Sequence, residues 1–139
     1  MNLNEVVRTV KGLRFPEGSY IVYGSGPLAL HGIRSVNDVD MLVTKQLKAE
    51  LKSSGWKEIN KGPNDTPVTN GAIEAHDTWS FCEYSPTLDE LLSRATRHNG
   101  VAFASLEDVL KWKLASPASD KNLRDIESIQ AKLSKNPST

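Results

Sequence analysis

Residues 20–44, YIVYGSGPLALHGIRSVNDVDMLVT, bring together the residue types that metal-assisted phosphate chemistry needs. A Gly24-Ser25-Gly26 turn, of a size to cradle a phosphate, stands a fixed distance ahead of two carboxylates, Asp38 and Asp40, in DVDMLV. Strand side chains alternate faces, so the spacing predicts that both carboxylates point the same way while Val39 points into the core. Two like charges on one face repel unless a cation sits between them. A cation held there, beside a phosphate loop, is what nucleotidyl transfer requires.

Positioning these residues takes two strands and a short helix. The apolar run Tyr20, Ile21, Val22, Tyr23 predicts a strand that ends at the turn. Pro27 suits the first position of a helix that should stop at Gly32, and a second apolar strand then carries the acidic pair. Upstream, Leu3, Val6, Val7, Val10 and Leu13 are spaced as on an amphipathic helix over residues 2–14. Downstream, a helix is expected over 45–54, stopped by Gly55, then a short strand over 56–59. KGPNDTPVTNG (61–71) reads as a surface loop. AIEAH (72–76) reads as a strand on which Glu74 and His76 share a face, opposite Ile73 and Ala75. The last third reads as helical: TLDELLSRATRHNG with Thr87 as N-cap and Gly100 as stop, then SLEDVLKWKLAS, then SDKNLRDIESIQAKL, then a frayed KNPST tail. Ser105 and Asp108 form an acidic variant of a capping box.

At 139 residues the chain is expected to be one domain, with an N-terminal helix at 2–14, a core at 15–84, a mostly helical part at 87–133 and a tail at 134–139. Seventeen basic and seventeen acidic residues balance, so no global field draws in nucleic acid, and a small-molecule or protein acceptor is expected instead. The single Cys82 excludes an internal disulfide and a cysteine-rich metal site. Lacking a signal peptide or a long apolar span, the chain is expected to be a soluble cytoplasmic protein with no membrane association.

The pattern of an apolar strand, Gly24-Ser25, a short helix, Gly32-x-Arg34 and Asp38-x-Asp40 resembles the nucleotidyltransferase superfamily, or DNA polymerase beta-like fold. The D-x-D pair alone carries little information; joined to the Gly-Ser loop at this spacing it is fairly specific. Over about residues 15–130 the chain resembles the small bacterial and archaeal members related to abortive-infection and antibiotic-modifying nucleotidyltransferases. One departure is Val36, where many relatives have Thr or Ser two positions before the first Asp. The resemblance implies an α/β (α+β) domain: a mixed twisted sheet flanked by helices, with C-terminal helices. It also implies Mg²⁺ or Mn²⁺ as cofactor and a nucleoside triphosphate such as ATP as substrate.

The resemblance further implies a third carboxylate, placed at Glu74 and completing an oxygen-rich pocket with Asp38 and Asp40 for Mg²⁺. Asp77 is the rival and would need a bulge or register shift. Backbone N–H groups at Gly24, Ser25 and the following helix N-terminus would hold the β and γ phosphates. Arg34 would contact phosphate, or else form a salt bridge to Asp38 or Asp40. Asp40 or Glu74 would help deprotonate the acceptor hydroxyl, and His76 would either touch substrate or be structural. In the C-terminal helices, Lys113 and the set Lys121, Asp125, Ile126 match the relatives, with Asn122 in place of the usual Asp. Lys113 is thereby implied in nucleotide binding, while Lys111, Lys113 and Lys121 could equally each solvate a helix face. Two other readings stand beside an enzyme: a nucleotide-binding module that acts with a protein partner, as in toxin–antitoxin pairs, and a chance acidic pair on an unrelated interaction domain.

Overall fold

The computed structural model describes residues 1–63, 65–78, 83–116 and 118–135; Cys82 and the expected tail beyond Lys135 lie outside them. In chain order the elements are α1 (Leu3–Leu13), β1 (Tyr20–Tyr23), α2 (Gly26–Leu30), β2 (Val39–Val43), α3 (Lys45–Ser53), β3 (Lys57–Glu58), β4 (Val68–Thr69), β5 (Ile73–His76), α4 (Leu88–Ser93), β6 (Thr96–His98), β7 (Val101–Phe103), α5 (Leu106–Ala115) and α6 (Asp120–Lys135). Among the described residues the strands form one mixed sheet in the order β3-β4-β5-β2-β1-β7-β6. This is the mixed sheet with flanking and C-terminal helices that the sequence predicts. No described helix is long and apolar enough to cross a membrane.

The centre of the sheet is its most apolar part because it is covered on both faces. Every residue of β1 is buried, and β2 is buried except at Asp40. β1 pairs antiparallel with β2, and β2 pairs parallel with β5 in a register that sets Asp40 beside Glu74 and Leu42 beside His76. Strand parity on β5 is therefore as the sequence predicts. α1 starts on a capping box in which Asn2 and Glu5 satisfy each other's backbone N–H groups, and it buries Val6, Val7 and Val10 in the core. Thr44 and Thr87 cap α3 and α4 through their side-chain oxygens. α2 begins at Gly26, with Pro27 in its first turn, and Gly32 follows it at φ +70°.

Three expectations change. The segment from Thr87 to Gly100 is helical only as far as Ser93; Thr96–His98 then forms β6 and turns back into β7. The reason is Asn99-Gly100, both with positive φ, the dipeptide that makes a two-residue hairpin turn matching strand twist. The loop expected over 61–71 likewise contains β4, which pairs with β5. Ser105 does cap α5, accepting the Asp108 N–H. The Asp108 carboxylate, however, is buried and bonds the guanidinium of Arg94 at 2.9 Å through both Nε and Nη2, as well as the Tyr84 hydroxyl. It ties α5 to the end of α4 instead of closing a capping box.

Gly26 is fixed by crowding: a Cβ there would lie 2.3 Å from Cγ1 of Val22, a fully buried residue of β1. Gly26→Ala should therefore cost roughly 1–3 kcal/mol, the range for overpacking. In a double mutant with Val22→Ala the losses should sum to less than the two single losses, because the clash is gone. Urea unfolding of the four proteins measures this, and strictly additive losses would show that no such contact limits the site.

Candidate metal and nucleotide site

The site forms where β1, β2 and β5 run side by side. Tyr23, the last residue of β1, is the register partner of Asp40, and Asp40 is the partner of Glu74, so the Gly24-Ser25 turn leaves β1 directly over the carboxylate pair. Gly24 has φ +68°, and a Cβ on it would come within 2.9 Å of Asp40 Oδ2. A side chain is excluded there on both conformational and steric grounds.

Asp40, Glu74 and His76 each offer one ligand atom, and these atoms lie within 4.8 Å of one another. Burial, the adjacent Glu74 carboxylate and Asp38 together push the Asp40 carboxyl up to about 7, against the opposing fields of Lys61 and Lys113. Asp38 itself is exposed, on the bend just before β2, and stands outside the cluster of three. Its charge still acts on Asp40, but it precedes the strand, so the two carboxylates do not project from one strand face as expected. Glu74 Oε1 is 2.6 Å from Lys61 Nζ and 3.7 Å from His76 Nε2. That buried oxygen nevertheless has no well-directed hydrogen bond among the described residues. His76 is buried, its Nδ1 3.3 Å from Asp65 Oδ1 and its ring edge-on to Tyr23; burial lowers its pKa despite the acidic neighbours. Asp77 faces elsewhere and pairs with Lys48 at 3.3 Å, so no bulge brings it to the cluster.

A second network begins at the same turn. Arg34 donates from Nε and Nη2 to both carboxylate oxygens of Asp125, each at 2.8 Å, and from Nη2 to Ser25 Oγ at 3.0 Å. Its salt bridge is therefore to α6, and neither Asp38 nor Asp40 is its partner. Lys113 Nζ lies 3.0 Å from Asp125 Oδ2, and both side chains are buried. Burial lowers the pKa of Lys113, although Asp125 opposes it. Burial acts to raise the Asp125 carboxyl, yet the bonds from Arg34 and Lys113 hold it below the usual carboxylate range. Lys111 and Lys121 are exposed, as solvated helix-face residues are, whereas Lys113 is not. The contacts of Lys61 and Asp65 were not visible in the sequence, since both sit in a Gly- and Pro-rich stretch that reads as a connection. Asp125 was visible only as part of a pattern, without its partners.

The donor set fits a divalent cation. Two carboxylates suit Mg²⁺, the imidazole widens the choice toward Mn²⁺, and a buried carboxylate oxygen without an aligned donor is what a cation would satisfy.

No family profile matches the chain, and no curated protein sequence matches it. Among solved structures the chain is similar to the solution structure of the antibiotic-resistance factor ANT(2'')-Ia, with a TM-score of 0.54 and 13% identity, covering 96% of this chain and 82% of that one. The likeness shows a nucleotidyltransferase-like fold. At that identity it bears on the fold alone.

Two outcomes follow from the electrostatics. Folded, the Asp40 carboxyl keeps its proton up to about pH 7, while the ordinary value is 3.8. Between those values the folded state binds more protons than the unfolded one, so metal-free stability should fall as pH rises from about 4 to 7 and change little above. Asp40→Asn should remove that slope and raise the metal-free melting temperature at pH 8 by several degrees, with little change at pH 4, as thermal scans in chelator would show. At the second network, Asp125→Asn strands a buried Lys113 charge and should cost roughly 3–5 kcal/mol. Lys113→Met leaves Asp125 still held by Arg34 and should cost clearly less. Denaturant titrations compare the two, and equal losses would remove Asp125 as the centre of that network.

Proposed function

We propose that the protein is a metal-dependent nucleotidyltransferase that moves a nucleoside monophosphate from a nucleoside triphosphate to a hydroxyl of a small-molecule or protein acceptor. The observation that carries this reading is the Asp40–Glu74 rung lying directly beneath the Gly24-Ser25 turn, with less than 3 Å between Asp40 Oδ2 and the place of a Gly24 Cβ. The nucleotidyltransferase-like fold supports it.

Asp40 and Glu74, with His76 beside them and Asp38 at the exposed rim, would hold the cation. When bound, it supplies charge compensation for the attacking and leaving oxygens. The turn's backbone N–H groups would receive the phosphates. α2 has only five residues, so these local donors, and not a long helix dipole, would carry the task. Arg34, its Nε and Nη2 committed to Asp125, would act on the phosphates chiefly by holding Ser25 and the turn in place. Lys113, spent on Asp125, would act through that carboxylate and not on the nucleotide directly. Asp40 or Glu74, as carboxylates beside the cation, would help take the proton from the acceptor hydroxyl. The balanced net charge favours an acceptor that is not a polyanion.

Calorimetric titration of nucleoside triphosphate in Mn²⁺ should show metal-dependent binding in the wild type and a loss of about tenfold or more in Asp40→Asn. Asp77→Asn should stay within about twofold. Glu74→Gln should cut transfer of label from an α-labelled triphosphate to a panel of acceptors by roughly a hundredfold. Equal metal-dependent binding by wild type and Asp40→Asn would overturn the assignment.

A further inference from the structure

The lysines around the carboxylate pair are not equivalent. Lys113 is buried and bonded to Asp125, and Lys48 is paired with Asp77. Lys61 alone among these reaches the cluster itself, with Nζ 2.6 Å from Glu74 Oε1. It arrives from the segment between β3 and β4, which is held together by Lys61 N–H to the Asp65 carbonyl at 2.9 Å and Asp65 N–H to the Gly62 carbonyl at 3.1 Å. Two side-chain contacts to β5 are made from this stretch, an ion pair of Lys61 with Glu74 and the approach of Asp65 to the His76 ring at 3.3 Å.

The two ends of the Lys61–Glu74 pair differ in what they lose on separation. The Lys61 side chain is 42% exposed, whereas that of Glu74 is 16% exposed. An ammonium at the mouth can return to water at small cost, while the bared carboxylate would stay in a poorly solvated place beside Asp40. The pair is also close without being a well-directed hydrogen bond: Glu74 Oε1 has no aligned donor among the described residues. Lys61 therefore neutralises that oxygen through a short but poorly directed contact. A divalent ion held by Asp40 and Glu74 would compete with the ammonium for the Glu74 carboxylate, because like charges a few ångströms apart in a partly buried site repel strongly.

Resting on the reading of Asp40 and Glu74 as cation ligands, we propose that Lys61 is the site's own exchangeable counter-cation, which neutralises Glu74 in the metal-free protein and is displaced one-for-one when a divalent ion binds. Lys61 thereby sets the metal concentration at which the site fills. Displacement of its side chain also undoes the Lys61–Glu74 contact with β5, so the backbone at Lys61 and Asp65 loosens as the metal enters.

The test uses the full chain stripped with chelator, with free Mn²⁺ followed by electron paramagnetic resonance at pH 7.5. Lys61→Met and Lys61→Gln should bind Mn²⁺ about tenfold more tightly than wild type, the worth of one charge-assisted contact. Lys61→Arg, which keeps the cation, should stay near the wild-type value, and Glu74→Gln should lose most binding. In the unsubstituted protein, saturating Mg²⁺ should speed hydrogen exchange at the Lys61 and Asp65 amides several-fold. Unchanged or weaker Mn²⁺ binding in both neutral variants, with Glu74→Gln still impaired, would overturn the role of Lys61 and leave the cation site standing. Amide exchange unaltered by Mg²⁺ would overturn the displacement. Absence of specific Mn²⁺ binding in wild type and in the neutral Lys61 variants alike would overturn the cation site and this inference together.

Discussion

The rung that sets Asp40 beside Glu74 is the constraint around which the rest of the site is arranged. Parallel pairing of β2 with β5 brings the two backbones together, and strand alternation then forces two carboxylates onto one face near the centre of a covered sheet. An interior that only needed to pack would not tolerate this, since ionising both groups there costs free energy that apolar residues would not cost. The surrounding residues answer that strain in different ways. Gly24 gives way sterically to Asp40, Lys61 brings a positive charge to Glu74, and Asp65 orients His76 against the pair. The Asp40 carboxyl is pushed up to about 7 even so, because the cations of the chain do not fully offset burial and the neighbouring carboxylates.

A second centre, Asp125, makes the C-terminal helices part of the same site. Its carboxylate collects Arg34 from the stretch after α2 and Lys113 from α5, and Arg34 passes the connection on to Ser25 in the turn. The turn is thus held from below by the strand that carries Asp40 and from the side by α6. Lys113 belongs to both centres: it bonds Asp125 and its charge also acts on Asp40. A shift of α6 would be felt at the turn through Arg34 and at the carboxylates through Lys113, and no contact between α6 and Asp40 is needed for that.

Features written into short stretches were legible in the sequence. The Gly-Ser turn, the parity of Asp40 on β2 and of Glu74 and His76 on β5, and the caps at Thr87 and Ser105 depend on neighbours a few residues away. Lys113 was not legible as a buried residue, because its partner Asp125 lies on another helix and a lysine on a leucine-rich helix reads equally well as solvated. The partner of Arg34 is 91 residues away, beyond the reach of any local pattern, whereas Asp38 and Asp40 stand close to it in sequence. Lys61 carried no local signal at all. β6 and β7 differ in kind, since Asn99-Gly100 between two short runs is a local hairpin signal; the helical periodicity of LDELLS ends where that turn chemistry takes over.

The two glycines of the turn are required by the protein's own packing whatever the protein binds. Gly26 makes room for Val22 and Gly24 makes room for Asp40. A glycine-rich turn here is consequently weaker testimony for a phosphate than the same turn in an open loop would be. The weight of the functional reading falls instead on Asp40 and Glu74, which nothing in the packing requires. Replacing both with apolar residues would leave the sheet register, the caps and the Asp125 network untouched, and would relieve the turn of its closest charged neighbour. A fold that keeps two such carboxylates in register, one of them pushed up to about 7 and the other leaning on a half-exposed lysine, holds a charge arrangement that an added cation would lower in free energy.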